Sequence, residues 1–227
     1  MEGTEHMKIH KLTGYKCYIF DFDGTLIDSR NNISNSLNTA LAAHGLSTID
    51  TKAIIPFIGK RNIEQTLFYF YPDIGKNRKE SIIELFRSTQ KLNAHKELKL
   101  FPHVKSALKE LLHQEKKLVI VSTKNINQLI YILKLFDIHD LFHLILGEDE
   151  STPSSFRKPE SGRFKEVQKE FSFLKSEYLM VGDTVIDCKF AINCGIDMCG
   201  VSFGIDSPRV LKASGAKIII HSFQELV

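Results

Sequence analysis

The chain has 227 residues, 43% hydrophobic and 25% charged, which is enough apolar material for one domain or one domain with an insertion. Its 30 basic and 27 acidic residues leave a formal charge of +3, too close to balance for a nucleic-acid surface. No run approaches the roughly 18 apolar residues of a membrane span, so neither nucleic acid nor membrane is expected as a partner.

The N-terminal stretch MEGTEHMK carries acidic groups and no apolar run, so it is not typical of a secretory signal. The cysteines fit no usual zinc spacing, and a structural role as buried free thiols is the favoured interpretation. They are Cys17, Cys188, Cys194 and Cys199. Free thiols of this kind predict a reducing, cytoplasmic location.

Short apolar runs alternate with helix-like segments along most of the chain. The predicted strands are residues 17–20, 118–121, 144–146, 178–181, 198–203 and 217–220. The predicted helices are residues 104–113, 128–136, 164–171 and 185–194. Near-continuous apolar strands separated by helices indicate an α/β fold, a Rossmann-like, doubly wound parallel sheet covered on both faces.

The alternation is interrupted after the first strand. Residues 28–98 show helical periodicity, with Ile33, Leu37 and Leu41 on one face, and no convincing strand. A βαβ crossover needs only about a dozen residues, so an inserted helical cap domain is predicted at 28–98, with a core domain of 1–27 and 99–227. The insertion leaves the sheet at the carboxyl end of a strand, where such sheets bind ligands. That position favours a lid over extra scaffold.

Pairs of aspartates follow two of the predicted strands. Asp21 and Asp23 come directly after the first strand, where carboxylates are costly unless their charge is used. An Asp-Gly turn would explain Asp23, but it does not explain why Asp21 closes an apolar run. Asp183 and Asp187 follow the strand 178–181. Helix capping would explain Asp183, and Asp187 lies one turn later on the same face.

Hydroxyl and lysine side chains complete the candidate site. Ser122 and Thr123 follow a strand, where they either begin the next helix or donate hydrogen bonds to a phosphate. Lys158 lies in a loop, where a lysine is ordinarily a solvated charge. Parallel strand ends share one edge of a sheet, so these groups should converge. Clustered acids repel one another unless a hard cation lies among them, and oxygen ligands indicate Mg²⁺.

With these motifs in place, the chain resembles the haloacid dehalogenase-like hydrolase superfamily, and within it the phosphoglycolate phosphatase-type branch. The DxDGT sequence at residues 21–25 is highly specific, and the other motifs follow in order at residues 122–123, 158 and 183–187. The similarity extends from about residue 16 to the end of the chain, and the insertion matches the helical cap of that branch.

The resemblance implies a role for each catalytic candidate. Asp21 would be the nucleophile that forms an aspartyl-phosphate, which splits a hard displacement into two easier ones. Asp23 would protonate the leaving alcohol and then activate water. Ser122 and Lys158 would hold the phosphoryl oxygens, and Lys158 would also offset the charge of Asp21.

The resemblance also implies the metal and substrate contacts. Mg²⁺ would be bound by the Asp21 carboxylate, the Asp23 main-chain oxygen and Asp183, with Asp187 in support. Thr25 and Thr123 would be substrate-binding residues, although Thr123 stands where the family usually has asparagine. Ser161 likewise stands where the family often has proline.

The selection of substrate is assigned to the cap. Lys60 or Arg61, after a glycine turn, would meet an anionic substrate, although a solvated pair of charges is an open alternative. The expected substrate is a small phosphorylated metabolite, either phosphoglycolate-like or a sugar or nucleotide phosphate, acted on by a monomer or homodimer.

Other functions share parts of this chemistry. Inorganic pyrophosphatases and phosphomutases of the same superfamily, phospho-receiver domains and non-catalytic binding modules all stay open. Receiver domains lack a large insertion after the first strand. Asp23 and Thr25 together favour hydrolysis of a phosphate ester.

Overall fold

The protein, described by a computed structural model at Leu12 and residues 14–227, is built on a six-stranded parallel sheet. The MEGTEHMK stretch and the first residues of the predicted core domain lie outside the described residues. The strands of this sheet are β1 (Cys17–Phe20), β4 (Lys117–Asn125), β5 (Leu144–Glu148), β6 (Tyr178–Gly182), β7 (Asp197–Val201) and β8 (Ile218–Ile220). Their order is β5-β4-β1-β6-β7-β8, and every pairing is parallel. The α/β prediction is confirmed.

A helical insertion, residues 29–98, separates β1 from β4. Two short antiparallel strands, β2 (Ile27–Asp28) and β3 (Lys99–Leu100), join it to the sheet. Its helices are α1 (Arg30–Ala43), α2 (Thr51–Ile54), α3 (Ile63–Phe70) and α4 (Lys76–Glu97). They share a small core that includes Leu37, Leu67 and Ile82. The sequence did not indicate β2 because two residues are too short to show a strand pattern. The division into core and cap domains stays a prediction.

The remaining helices cover both faces of the sheet. α5 (Val104–His113) and α6 (Ile126–Leu135) pack on one face. α7 (Gly162–Glu170), α8 (Val185–Cys194) and α9 (Pro208–Ala213) pack on the other. Side chains of β1 alternate accordingly, because successive residues of a strand point to opposite faces. Tyr18 and Phe20 join the first cluster, and Cys17 and Ile19 join the second. This is the doubly wound arrangement.

The cysteines are buried free thiols, as their spacing predicts. Burial raises the pKa of the Cys17 and Cys188 thiols to about 12, which keeps them protonated. Within residues 12 and 14–227, none of the helices combines the length and the apolar character that crossing a bilayer requires.

Candidate active site

The carboxyl ends of β1 and its two neighbours form the candidate site. Phe20 pairs with Ile120 of β4 and Val181 of β6, so the residues that follow these paired positions lie side by side. The Asp21 amide donates to the Val181 carbonyl at 2.9 Å, which holds Asp21 at the sheet edge. Asp21 is only 1% exposed. The sheet therefore brings Asp21, Ser122 and Asp183 to one edge, as the sequence predicts.

A tight turn after Asp23 presses the backbone against Asp183. The amides of Leu26 and Ile27 both donate to the Phe22 carbonyl, and Gly24 has a φ of 88°. A Cβ at Gly24 would lie 2.2 Å from Asp183 Oδ2, so only glycine permits this approach.

Thr25 belongs to the same turn, and its side chain contacts Asp183. Its fully buried hydroxyl donates to Asp183 Oδ1 at 2.9 Å. The second oxygen of Asp183 accepts from the Ile205 amide at 2.8 Å. The Thr25 hydrogen bond orients the carboxylate of Asp183, and the contact of Thr25 with substrate stays a prediction.

Lys158 is a buried cation between two aspartates. Its Nζ lies 2.5 Å from Asp21 Oδ1 and 2.7 Å from Asp187 Oδ1, and its side chain is 1% exposed. Burial alone would lower the pKa of Lys158, but the charges of Asp187 and Asp21 raise it above its ordinary value. Lys158 is therefore charged, and the alternative of a solvated surface lysine does not apply.

Asp21, Asp183 and Asp187 together carry more formal negative charge than Lys158 balances. One oxygen from each of Asp21, Asp183 and Asp187 lies within 4.8 Å of the others. Burial raises the pKa of Asp21 to about 7, even though Lys158 acts to lower it. Burial, together with the charges of Asp21 and Asp187, also raises the pKa of Asp183 well above its usual range. Asp21 Oδ2 is buried without a hydrogen-bond partner among the described residues.

These observations suit a divalent cation with oxygen ligands. A hard cation would give Asp21 Oδ2 a partner and would reverse the raised pKa values of Asp21 and Asp183. Both oxygens of Asp187 are already used, one by Lys158 and one by the amide and hydroxyl of Thr184 at the start of α8. That pattern suits the supporting role expected of Asp187.

A loop of the insertion, residues 57–62, lies against the acids and is called the insertion loop below. Gly59 has a φ of 73°, and a Cβ built on it would lie 3.8 Å from the Asp23 main-chain oxygen and 3.9 Å from Asp21 Oδ2. The insertion loop thus covers the side of the site where the metal ligands are expected.

The carboxyl-terminal part of β4 also includes a lysine that sequence reasoning missed. Lys124 Nζ lies 3.2 and 3.1 Å from the two carboxylate oxygens of Asp23, and the pair is buried. Ser122, two residues before Lys124, is also buried, and its Oγ accepts a hydrogen bond from the Lys124 amide at 3.2 Å. The position of Lys124 directly after the Ser122-Thr123 hydroxyls was visible in the sequence. Its partner, Asp23, was not, because Asp23 lies in a distant part of the sequence.

A cavity of about 690 Å³ separates the sheet edge from the insertion. Asp23, Thr123 and Lys124 line it from the sheet side, and Gly59 and Arg61 line it from the insertion loop. Candidate site residues from both the sheet and the insertion loop therefore line the cavity, and Asp21 lies beside Gly59 of that loop.

Lys60 does not line this cavity. Its Nζ lies 2.6 Å from Asp206 Oδ1, in a loop after β7. The other oxygen of Asp206 accepts from the Val185 amide at the start of α8, at 2.9 Å. The structure therefore gives the charge of Lys60 a partner in Asp206 and does not bring Lys60 to the cavity wall, and its contact with substrate stays a prediction. Asp206 was missed because an acid in a loop carries no motif.

Known proteins with a similar sequence or fold point to one family. Residues 18–201 match the family model described as haloacid dehalogenase-like hydrolase. The chain is 26% identical over 219 residues to a phosphoglycolate phosphatase of Photorhabdus laumondii, covering 95% of this chain and 92% of that protein. It is 29% identical over 217 residues to a phosphoglycolate phosphatase of Psychrobacter arcticus, covering 92% and 93%. A solved haloacid dehalogenase-like hydrolase of Streptococcus pneumoniae superposes with a TM-score of 0.79 at 25% identity, covering 94% of this chain and 97% of that one.

Proposed function

The chain belongs to the haloacid dehalogenase-like hydrolase family, and we propose that it is an Mg²⁺-dependent phosphatase of small phosphomonoesters. Phosphoglycolate-like esters and the phosphates of sugars or nucleotides are the candidate substrates. The observation that carries the proposal is the buried Asp21 carboxylate, with one oxygen on Lys158 and the other without a partner among the described residues. A phosphatase assignment also agrees with the phosphoglycolate phosphatases to which the chain is similar.

The proposed reaction uses two carboxylates in sequence. Asp21 attacks the phosphorus, an aspartyl-phosphate forms and the bond from phosphorus to the ester oxygen breaks. Asp23, in its protonated form, donates its proton to the departing alkoxide, which leaves as an alcohol, and Asp23 becomes the carboxylate that Lys124 contacts. Asp23 then accepts a proton from water as that water attacks the phosphorus. The bond to Asp21 breaks, and inorganic phosphate is released.

The other side chains stabilise and orient the reacting groups. Lys158 and Ser122 would hold phosphoryl oxygens, and Lys124 contacts the carboxylate of Asp23 at the cavity wall. Mg²⁺ would be held by Asp21, the Asp23 main-chain oxygen and Asp183, with Asp187 in support. Bound there, it would supply positive charge that stabilises the transferring phosphoryl group. Thr25 maintains the orientation of Asp183.

A panel of phosphorylated metabolites tests the proposal. Purified protein with Mg²⁺ is expected to release inorganic phosphate from para-nitrophenyl phosphate and from at least one small metabolite ester. Exhaustive chelation should remove the activity, and added Mg²⁺ should restore it. Failure to hydrolyse any ester would contradict the phosphatase proposal, and full activity after chelation would contradict the Mg²⁺ requirement. A reducing, cytoplasmic location is proposed alongside, supported by the buried free cysteines.

A further inference from the structure

Most cationic side chains on the cavity wall are already neutralised. Each of four has a carboxylate partner: Lys79 with Glu64, Arg87 with Glu150, Arg157 with Glu148, and Lys124 with Asp23. Arg61 lines the same cavity but, across the part of the chain that the structure describes, has no carboxylate oxygen within 4.0 Å. It is thus an unneutralised cation facing the space that the substrate must enter.

Aromatic rings hold Arg61 in place without cancelling its charge. Its guanidinium carbon lies 5.0 Å from the ring centroid of Phe57 and 5.1 Å from that of Tyr69. Both distances are within the roughly 6 Å of a cation–π contact, which attracts the cation but leaves its N–H donors free. The side chain is therefore oriented before any ligand binds.

The insertion loop sets the distance from Arg61 to the reacting groups. Gly59, two residues earlier, has its backbone beside Asp21 Oδ2 and the Asp23 main-chain oxygen. Two residues of chain extend at most about 7 Å, so Arg61 starts close to the catalytic acids. Arg61 and Asp23 line the same cavity, so a leaving group bound in this cavity can approach the Arg61 side chain while its phosphorus lies at Asp21.

We infer that Arg61 binds a second anionic group on the substrate's leaving group. The preferred substrates are then small phosphomonoesters that carry a carboxylate or another phosphate a few atoms from the ester oxygen. The planar guanidinium suits either anion because it can donate two parallel hydrogen bonds. This inference rests on the proposed function and names the substrate class of the same site.

Matched esters test the inference directly. We would measure kcat/KM with Mg²⁺ for phosphoglycolate, for its uncharged primary amide, for propane-1,3-diol bisphosphate and for para-nitrophenyl phosphate. The native protein should favour phosphoglycolate or the bisphosphate, each of which carries a second anionic group, over the amide. Arg61→Gln should lower kcat/KM for that ester roughly 10- to 100-fold and change the amide by less than about twofold. Of phosphoglycolate and the bisphosphate, the ester whose kcat/KM falls more identifies carboxylate or phosphate as the group that Arg61 binds.

Neighbouring variants serve as controls. Lys60→Gln removes a neighbouring charge that already has Asp206 as its partner. It should therefore change kcat/KM by the same factor for esters with and without a second anionic group. Tyr69→Leu removes one ring beside Arg61 and should give a smaller loss confined to the anionic ester. Arg61→Lys should retain part of the preference.

Two results separate this inference from the proposed function. If the native protein hydrolyses para-nitrophenyl phosphate but Arg61→Gln lowers all esters equally, or lowers none, the role of Arg61 is wrong and the phosphatase proposal stands. If no ester is hydrolysed in the presence of Mg²⁺, the phosphatase proposal fails and this inference fails with it.

Discussion

The sheet edge and the insertion loop hold their cations in opposite ways. Lys158 at the sheet edge is 1% exposed and bonded to Asp21 and Asp187. Arg61 in the insertion loop is exposed and contacts aromatic rings, and it has no carboxylate partner within residues 12 and 14–227. Under the proposed function, the difference would separate two tasks. The sheet edge would handle the phosphoryl group that every substrate shares, whereas the insertion loop would keep a charge available for the part that differs between substrates.

The largest expected effect is at the sheet edge. Asp21→Asn keeps the size of the side chain but removes the nucleophile, so turnover of every ester should fall by roughly 10⁴-fold or more. Steady-state release of phosphate from para-nitrophenyl phosphate measures the loss, and circular dichroism checks that the fold is kept. Activity within about tenfold of the native protein would show that Asp21 is not the nucleophile.

The next effect concerns stability at the sheet edge. Lys158→Met removes the cation between Asp21 and Asp187, leaving buried carboxylates without a partner charge. Breaking a buried pair in this way costs about 3–5 kcal/mol, which urea denaturation in metal-free buffer would measure as a lower free energy of unfolding. Added Mg²⁺ should recover part of that loss, because a bound cation replaces some of the missing charge. A loss below about 1 kcal/mol would mean that the site tolerates its uncompensated acids.

The smallest effect is expected at the insertion loop. Lys60→Met breaks the ion pair with Asp206, whose partners are 22% and 12% exposed, and Asp206 keeps its hydrogen bond from Val185. Because solvent reaches this pair, we expect the free energy of unfolding to fall by only about 1 kcal/mol in the same urea experiment. A loss equal to that of Lys158→Met would remove the distinction between the two regions.

The convergence of the candidate site residues at the sheet edge was predictable from the sequence, because it follows from where the parallel strands end. Parallel strands bring the residues after them to one edge, so the apolar runs before Asp21, Ser122 and Asp183 were enough to predict that these side chains meet. The burial of Lys158 could not be predicted from strand ends. Its loop has no regular pattern, and only the family resemblance indicated its role.

The insertion loop could not be predicted to the same depth. Lys60 and Asp206 are 146 positions apart, and the pairing of Lys124 with Asp23 spans 101 positions. The first contact depends on how the insertion packs over the sheet and the second on how β1 and β4 pair within the sheet, and local patterns encode neither. The adjacent charges of Lys60 and Arg61 therefore looked equivalent in the sequence, although one meets Asp206 and the other faces the cavity.

The central claim is that Asp21 carries the phosphoryl group during turnover. Acid quenching of the protein while it hydrolyses para-nitrophenyl phosphate, followed by peptide mass spectrometry, tests it most directly. We predict a phosphorylated peptide with the modification on Asp21, and none in the Asp21→Asn variant. A phosphoryl group on a different residue, or an unmodified Asp21 together with an active Asp21→Asn variant, would contradict the account.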